Sequence, residues 1–280
     1  MGDFTLDLVY NGDIFQPSAG GSVFNVASLL RKNNIEVCFI SHVGNDLPGK
    51  ILLKQLIKLG ISKDTIMQDN DFRTSAAFSE YDSEGKAHYS FYKDRKDFIL
   101  PDEKLWNKKF SLFHIGSSFA FSQASFPAVM KVCDLMVKNK VPITYDINLR
   151  KTPTEAEKER IFALMNKAQV IKGSDEDFNF LYGTSEKKII MNKILSGNDN
   201  KIGIITLGKT GAFLFSRSDS CFAEQNKILR NAKSIGAGDS FMAGIIIFYQ
   251  QNSSFNSLKK LGQFANNTAV DFLLSNRCVQ

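Results

Sequence analysis

The chain has 280 residues, 43% hydrophobic and 23% charged, ordinary values for a folded globular protein that exclude a disordered or collagen-like chain. Lys and Arg exceed Asp and Glu by 35 − 29 = +6. The basic residues are scattered, however, and the densest cluster, Lys93-Asp94-Arg95-Lys96, forms no stripe that would read nucleic acid. The longest apolar runs, such as Ile245-Ile246-Ile247-Phe248, are too short to cross a bilayer, and Met1-Gly2-Asp3 opens no signal peptide. Cys38, Cys133, Cys221 and Cys278 include no CxxC pair, and His42, His88 and His114 have no HExxH spacing, so neither a disulfide framework nor a zinc site is expected. These features predict a cytoplasmic protein with neither nucleic acid nor membrane as partner.

Apolar periodicity predicts a helix over 24–34, a short strand over 36–41, and a helix over 47–59 stopped by Gly60. Next come a strand over 112–115, a long helix over 123–138, and a strand over 142–146. A helix over 154–167 follows, with Thr154 as its N-cap. The pattern continues with a strand at 170–171, a helix over 175–182 stopped by Gly183, a strand over 201–206, and helices over 238–250 and 257–274. Strands alternating with helices mean parallel strands joined by crossover helices, a three-layer α/β arrangement. One segment breaks the rhythm. Residues 74–81 and 86–92 read as two strands around Asp82-Ser83-Glu84-Gly85, a β-hairpin rich in aromatics. It fits a lid over the sheet's active edge or a simple edge hairpin, and pattern does not choose between them.

Two segments suggest phosphate chemistry. In Ser234-Ile235-Gly236-Ala237-Gly238-Asp239, small residues open a helix and an aspartate sits in its first turn. Free N–H groups and the positive helix end would hold an anion. A carboxylate beside that anion could take a proton from an attacking hydroxyl. An ordinary helix start with a dipole-favoured aspartate reads equally well. The run Gly203-Ile204-Ile205-Thr206-Leu207-Gly208-Lys209-Thr210 satisfies GxxxxGK[ST], but its centre reads as strand and another strand follows. A P-loop needs a loop there and a helix after it, so the match is rejected. Gly20-Gly21 before Asn25 permits a tight turn into a helix, and Asn25 could hydrogen-bond a polyhydroxyl ligand, though a capped helix start explains it too.

In order and spacing these pieces resemble the ribokinase, or PfkB, family of sugar kinases, from Gly2 to about Val270. The most specific match is Lys233-Ser234-Ile235-Gly236-Ala237-Gly238-Asp239, continuing through Ala243-Gly244. The resemblance implies that Asp239 is the catalytic base and that the amides of Gly236, Ala237 and Gly238 form its anion hole. It further implies sugar contacts from Asp7, Gly20, Gly21 and Asn25, and places Asn148 and Arg150, in Asp146-Ile147-Asn148-Leu149-Arg150, near the phosphate path. Thr206, Gly208 and Gly211 match a segment lining the ATP site, with Ser174 and Asn266 also on the nucleotide side. Gly44-Asn45-Asp46 and Gly49 match a structural turn. The implied fold is a three-layer α/β/α ribokinase-like domain over 1–280, with a mainly parallel central sheet and a small β lid formed by about 5–16 and 72–98. That lid often serves as a homodimer interface.

Several positions depart from the family pattern. The metal-linked Asn-x-x-Glu motif is Ser174-Asp175-Glu176-Asp177 here, a variant that tilts the acceptor toward fructose and has Asp177 meet Mg²⁺ through water. Lys233 stands where relatives keep an aspartate of a monovalent-cation site, which predicts activity independent of K⁺. Relatives carry a full strand ahead of Gly2-Asp3, where only Met1 stands in this sequence. The expected activity is transfer of the γ-phosphoryl of Mg²⁺·ATP to a sugar hydroxymethyl. The alternatives are a nucleoside kinase of the same fold, with an aromatic clamp in the lid, or a catalytically weak sugar-binding or regulatory protein.

Overall fold

The computed structural model describes residues 1–10, 12–81, 87–94, 96–196, 200–225 and 236–275. The chain opens with β1 (Thr5–Tyr10), β2 (Phe15–Gly20), α1 (Ser22–Lys32), β3 (Ser41–Gly44), α2 (Leu47–Lys58) and β4 (Ile66–Asp69). The hairpin follows as β5 (Ala76–Tyr81) and β6 (Ala87–Tyr92); its predicted turn residues, and Lys86, lie outside the described residues. Next come β7 (Phe113–Gly116), α3 (Ser117–Phe121), α4 (Phe126–Lys138), β8 (Ile143–Asp146), α5 (Glu155–Lys167), β9 (Val170–Ser174), α6 (Asp175–Tyr182) and α7 (Lys187–Leu195). The chain closes with β10 (Ile202–Thr206), β11 (Gly211–Phe215), β12 (Ser220–Glu224), α8 (Ala237–Asn252) and α9 (Leu258–Ser275).

The main sheet runs β12-β11-β10-β9-β8-β7. The β7/β8, β8/β9 and β9/β10 pairs are parallel, and β11 and β12 add on antiparallel. Side chains alternate across the sheet, so consecutive residues enter different cores. Ile171, Ile205 and Phe215 pack with α4, α5 and α6 residues such as Val132, Leu164 and Phe178. Val170, Ile204 and Leu214 pack with Val26 of α1, Ile245 of α8 and Leu261 of α9. Both faces are therefore covered, which makes the molecule three-layered and explains why these strands are apolar on both faces rather than alternating.

The remaining strands form two small sheets, β2-β1-β5-β6 and β3-β4. In the first, β1 pairs antiparallel with β2 and parallel with β5, so the opening residues of the chain and the later hairpin make one layer. The turn into α2 is built as the sequence suggests. Asp46 caps the helix by accepting from Gly49 N at 2.9 Å and also accepts from Thr74 Oγ1 at 2.6 Å. A Cβ on Gly49 would lie 2.1 Å from Gly44 O, so only glycine lets the two backbones meet.

Two predicted boundaries need correction. The strand expected over 36–41 forms only from Ser41. Residues 35–40 lack a ladder partner: Gly2 N donates to Ile40 O, Met1 N donates to His114 O, and a cavity of about 680 Å³ lined by Val37, Leu112 and Ile246 takes up the rest of the gap. The helix expected over 123–138 begins later, as α4 at Phe126, and a separate short helix, α3, precedes it. Pro127 sits in the first turn of α4, where its missing N–H costs nothing, and fixes the start there.

Candidate active site

The parallel strands β7, β8, β9 and β10 end at Gly116, Asp146, Ser174 and Thr206 on one edge of the sheet. Such carboxyl edges open the crevices in which α/β sheets bind ligands. Two helix starts meet there. Helix α8 opens at Gly236, which is left-handed at φ 81°, and no side chain among the described residues caps it. Among the described residues its first amides are therefore unspent, and they carry the positive end of the helix dipole. Asp239 lies in that first turn. Ser22 Oγ donates to its Oδ1 at 2.7 Å and Asn25 Nδ2 donates to its Oδ2 at 2.7 Å, both from the first turn of α1. A carboxylate offers about four lone-pair sites, so these bonds fix its direction and leave capacity for a further donor.

Gly21 leads into α1 at φ 103°, with its Cβ position 2.3 Å from Asp3 O, a place no other residue fits. Gly20 faces the carboxylate of Asp7, whose Oδ2 lies 2.0 Å from where a Cβ would be. Thr5 Oγ1 donates to Asp7 Oδ1 at 2.7 Å. Burial pushes the Asp7 carboxyl up to about 6; the Thr5 bond opposes this, and the charge of Asp239 adds to it. Next to it, Asp3 Oδ2 accepts from Ser117 Oγ at 2.8 Å and pairs with Lys93 Nζ at 2.8 Å. Lys93 also donates to Ser118 Oγ, tying the hairpin sheet to the start of α3.

Deeper in the crevice, Lys172 Nζ donates to Asp146 Oδ2 at 2.7 Å; Lys172 is 5% exposed and Asp146 fully buried. Burial pushes the Asp146 carboxyl up, while the attraction of Lys172 favours its ionised form. Burial also opposes the charge on Lys172, but Asp146, Asp177 and Asp239 outweigh it and hold the amine above the ordinary lysine value. Asn148 is left-handed at φ 44°, a conformation asparagine tolerates better than most residues. Arg150 lies over the Tyr89 ring at 5.4 Å and so faces the hairpin.

Asp177 sits in the capping box that starts α6. Its Oδ2 accepts from Ser174 N at 2.6 Å and Ser174 Oγ at 2.8 Å, and its Oδ1 accepts from Leu149 N at 2.6 Å. Among the described residues no group of three His, Cys, Asp or Glu side chains could hold a metal ion. Thr206 neighbours Ser174 across the β9/β10 ladder. After it, Gly208–Thr210 make a single 3₁₀ turn and β11 begins at Gly211, so the segment is strand, turn and strand, as expected when the P-loop match was rejected. A Cβ on Gly211 would lie 2.1 Å from Ala223 O, and Asn266 Nδ2 donates to that same carbonyl at 2.8 Å. Asn266 is thus buried as a tie between α9 and β12.

The structure gathers Asp7, Gly20, Gly21, Asn25 and Asp239 into one cluster and lines up Ser174 and Thr206 on adjacent strand ends. Arg150 turns toward the hairpin, and the side chains of Asp177 and Asn266 are engaged with protein groups. Ser234, Ile235 and Lys233, with its cation argument, lie outside the described residues. Sequence reasoning gave no role to Ser22, although it stood inside the Gly20–Asn25 stretch. It also passed over Lys172, whose signal was a lysine in an otherwise apolar strand, and the Asp3–Lys93–Ser117 contacts, which join residues too far apart in sequence to suggest one another.

A family model described as pfkB family carbohydrate kinase matches residues 4–273. The chain belongs to this family. It is 28% identical over 264 residues to a probable fructokinase-5 of Arabidopsis thaliana, covering 90% of this chain and 81% of the relative. It is 24% identical to a 5-dehydro-2-deoxygluconokinase of Listeria monocytogenes, covering 91% and 82%. Among solved structures it resembles the ATP-bound fructokinase of Xylella fastidiosa at TM-score 0.81, with 19% identity and 95% and 88% coverage. The Vibrio cholerae fructokinase bound to fructose, ADP and calcium ion gives TM-score 0.79 at 20% identity, with 96% and 88% coverage. The chain is accordingly a carbohydrate kinase of ribokinase-like fold, and no described helix is long and apolar enough to cross a membrane.

Proposed function

We propose that this kinase transfers the γ-phosphoryl of ATP to a hydroxymethyl group of a sugar, with fructose the preferred acceptor. The observation that carries the chemistry is Asp239, presented in the first turn of an uncapped helix and aimed by Ser22 and Asn25. The names of the relatives favour fructose. In this reading Asp7 accepts hydrogen bonds from the sugar beside Gly20 and Gly21. Asp239 takes the proton of the attacking hydroxyl, and the amides at Gly236, Ala237 and Gly238 hold the phosphoryl oxygens as their charge grows. Asn148 and Arg150 border the phosphate path, while Ser174, Thr206, Gly208, Gly211 and the corner braced by Asn266 form the nucleotide side. The sheet β2-β1-β5-β6 is the lid, over about 5–16 and 72–98 of a single domain spanning 1–280. Its closure keeps water from competing with the sugar.

Mg²⁺ fits this site only as a companion of ATP. Both Asp177 oxygens already accept protein hydrogen bonds, and no described cluster would hold the ion alone. The ion would arrive on the ATP phosphates and neutralise charge there, with Asp177 reaching it through water. On one face of the lid sheet Phe15 and Tyr92, both packed on Phe78, are exposed, a surface suited to a homodimer. The expected location is the cytoplasm. The test is ADP release from the purified protein with Mg²⁺·ATP across sugars, 5-dehydro-2-deoxygluconate and nucleosides, with and without K⁺. Turnover on fructose, unchanged by K⁺, is the expected result. Silence with fructose and turnover on a nucleoside would replace the acceptor reading.

A further inference from the structure

Lys172 is a buried cation with more hydrogen-bonding capacity than its neighbours use. An ammonium has three N–H donors, and among the described residues only Asp146 accepts from this one. Asp146 in turn keeps Oδ1 buried with no partner among the described residues. Unspent charge of this kind is expensive in a protein interior. The ammonium is not turned toward the core. It lies 3.1 Å from the point where a Cβ on Gly238 would stand, so the missing side chain of Gly238 leaves it open toward the start of α8. The charges of Asp146, Asp177 and Asp239 outweigh the effect of burial and keep it charged. A pair that only stapled β8 to β9 would not need to stand beside the uncapped end of a helix.

We infer that Lys172 is a further catalytic residue of the phosphoryl site: pinned by Asp146, its ammonium donates to the oxyanion held at Gly236–Gly238 and supports the charge that gathers there during transfer. This rests on the kinase reading above, and the two can fail separately. The discriminating measurement is calorimetric affinity for ADP and for ADP with aluminium fluoride, a mimic of the phosphoryl group in flight, in the presence of Mg²⁺ and saturating fructose. Lys172→Met combined with Asp146→Asn removes both charges and leaves none stranded, and circular dichroism and melting check its fold. The expected result is ADP affinity within about threefold of the wild type, loss of roughly 10²–10³-fold of affinity for the fluoride complex, and partial recovery in Lys172→Arg. A folded double variant that binds the fluoride complex as tightly as the wild type overturns the inference. So does equal loss for both ligands, which is the mark of a merely structural pair. Lys172→Gln alone removes the ammonium while its amide can still donate to Asp146, so it reads the same role even if the double variant does not fold: selective loss of fluoride-complex affinity supports the inference and unchanged affinity overturns it. A wild type that gains no affinity on adding fluoride removes the kinase reading, and this inference with it.

Discussion

Asp7 is held beside Asp239, and burial has pushed its carboxyl up to about 6 from an ordinary 3.8. The carboxyl is therefore neutral below that value and ionised above it. An ionised carboxylate accepts hydrogen bonds from sugar hydroxyls with both oxygens, while the neutral acid gives up part of that capacity. The fructose KM is expected to rise about tenfold per pH unit as pH falls below about 6. Asp7→Asn should raise KM and flatten its profile in this range, a comparison made by steady-state kinetics at pH 5, 6 and 7. The sign for stability is opposite. A raised acid pKa means the folded state prefers the proton, so the contribution is full below 3.8 and lost as pH rises through about 6. Melting of the unliganded Asp7→Asn protein should show less of that loss. At this scale the small residues and the aspartate of the first turn of α8 were readable, because helix starts announce their chemistry locally. Lys172 and Asp3 were not, since their partners arrive through the fold from 26 and 90 residues away.

Helix α5 shows an element written almost wholly in local sequence. Thr154 Oγ1 accepts from Glu157 N at 3.3 Å and Glu157 returns the bond to Thr154 N at 2.8 Å, closing a capping box. Thr154→Ala is expected to cost about 1 kcal/mol, a fall in melting temperature of roughly 2–4 °C, with kcat unchanged because the cap lies away from the cluster around Asp239. A melt with no shift would mean that packing alone sets this boundary. Helix α6 was equally legible: Ser174 caps it and Gly183, left-handed at φ 71°, ends it. The strand expected over 36–41 marks the limit of this kind of reading. Val37, Phe39 and Ile40 have the right residue types, yet a strand needs a ladder to join, and among the described residues 35–40 make only isolated bonds, such as Gly2 N to Ile40 O and Thr65 Oγ1 to Phe39 O. Helix α7 and strands β1, β2, β4 and β12 went unread, because their short segments carry weak periodicity and owe their form to partners supplied elsewhere.

At the scale of the molecule, alternation of strand and helix predicted layers, and the residues of β9, β10 and β11 deliver them by feeding two cores from opposite faces. The small sheet could not be foreseen as one unit, because β1 and β5 are joined only by parallel pairing across some 70 residues of sequence. Its exposed aromatics lead to an expectation of a dimer through the lid. Sedimentation equilibrium should report about twice the 31.3 kDa chain mass, and Phe15→Asp should shift it toward the monomer; a wild-type monomer would remove the interface. The central claim concerns Asp239. In the ADP-release assay with fructose, Asp239→Asn is expected to lower kcat by roughly 10²–10⁴-fold while calorimetry finds fructose still bound with near wild-type affinity. A folded Asp239→Asn protein that turns over at the wild-type rate would contradict the account.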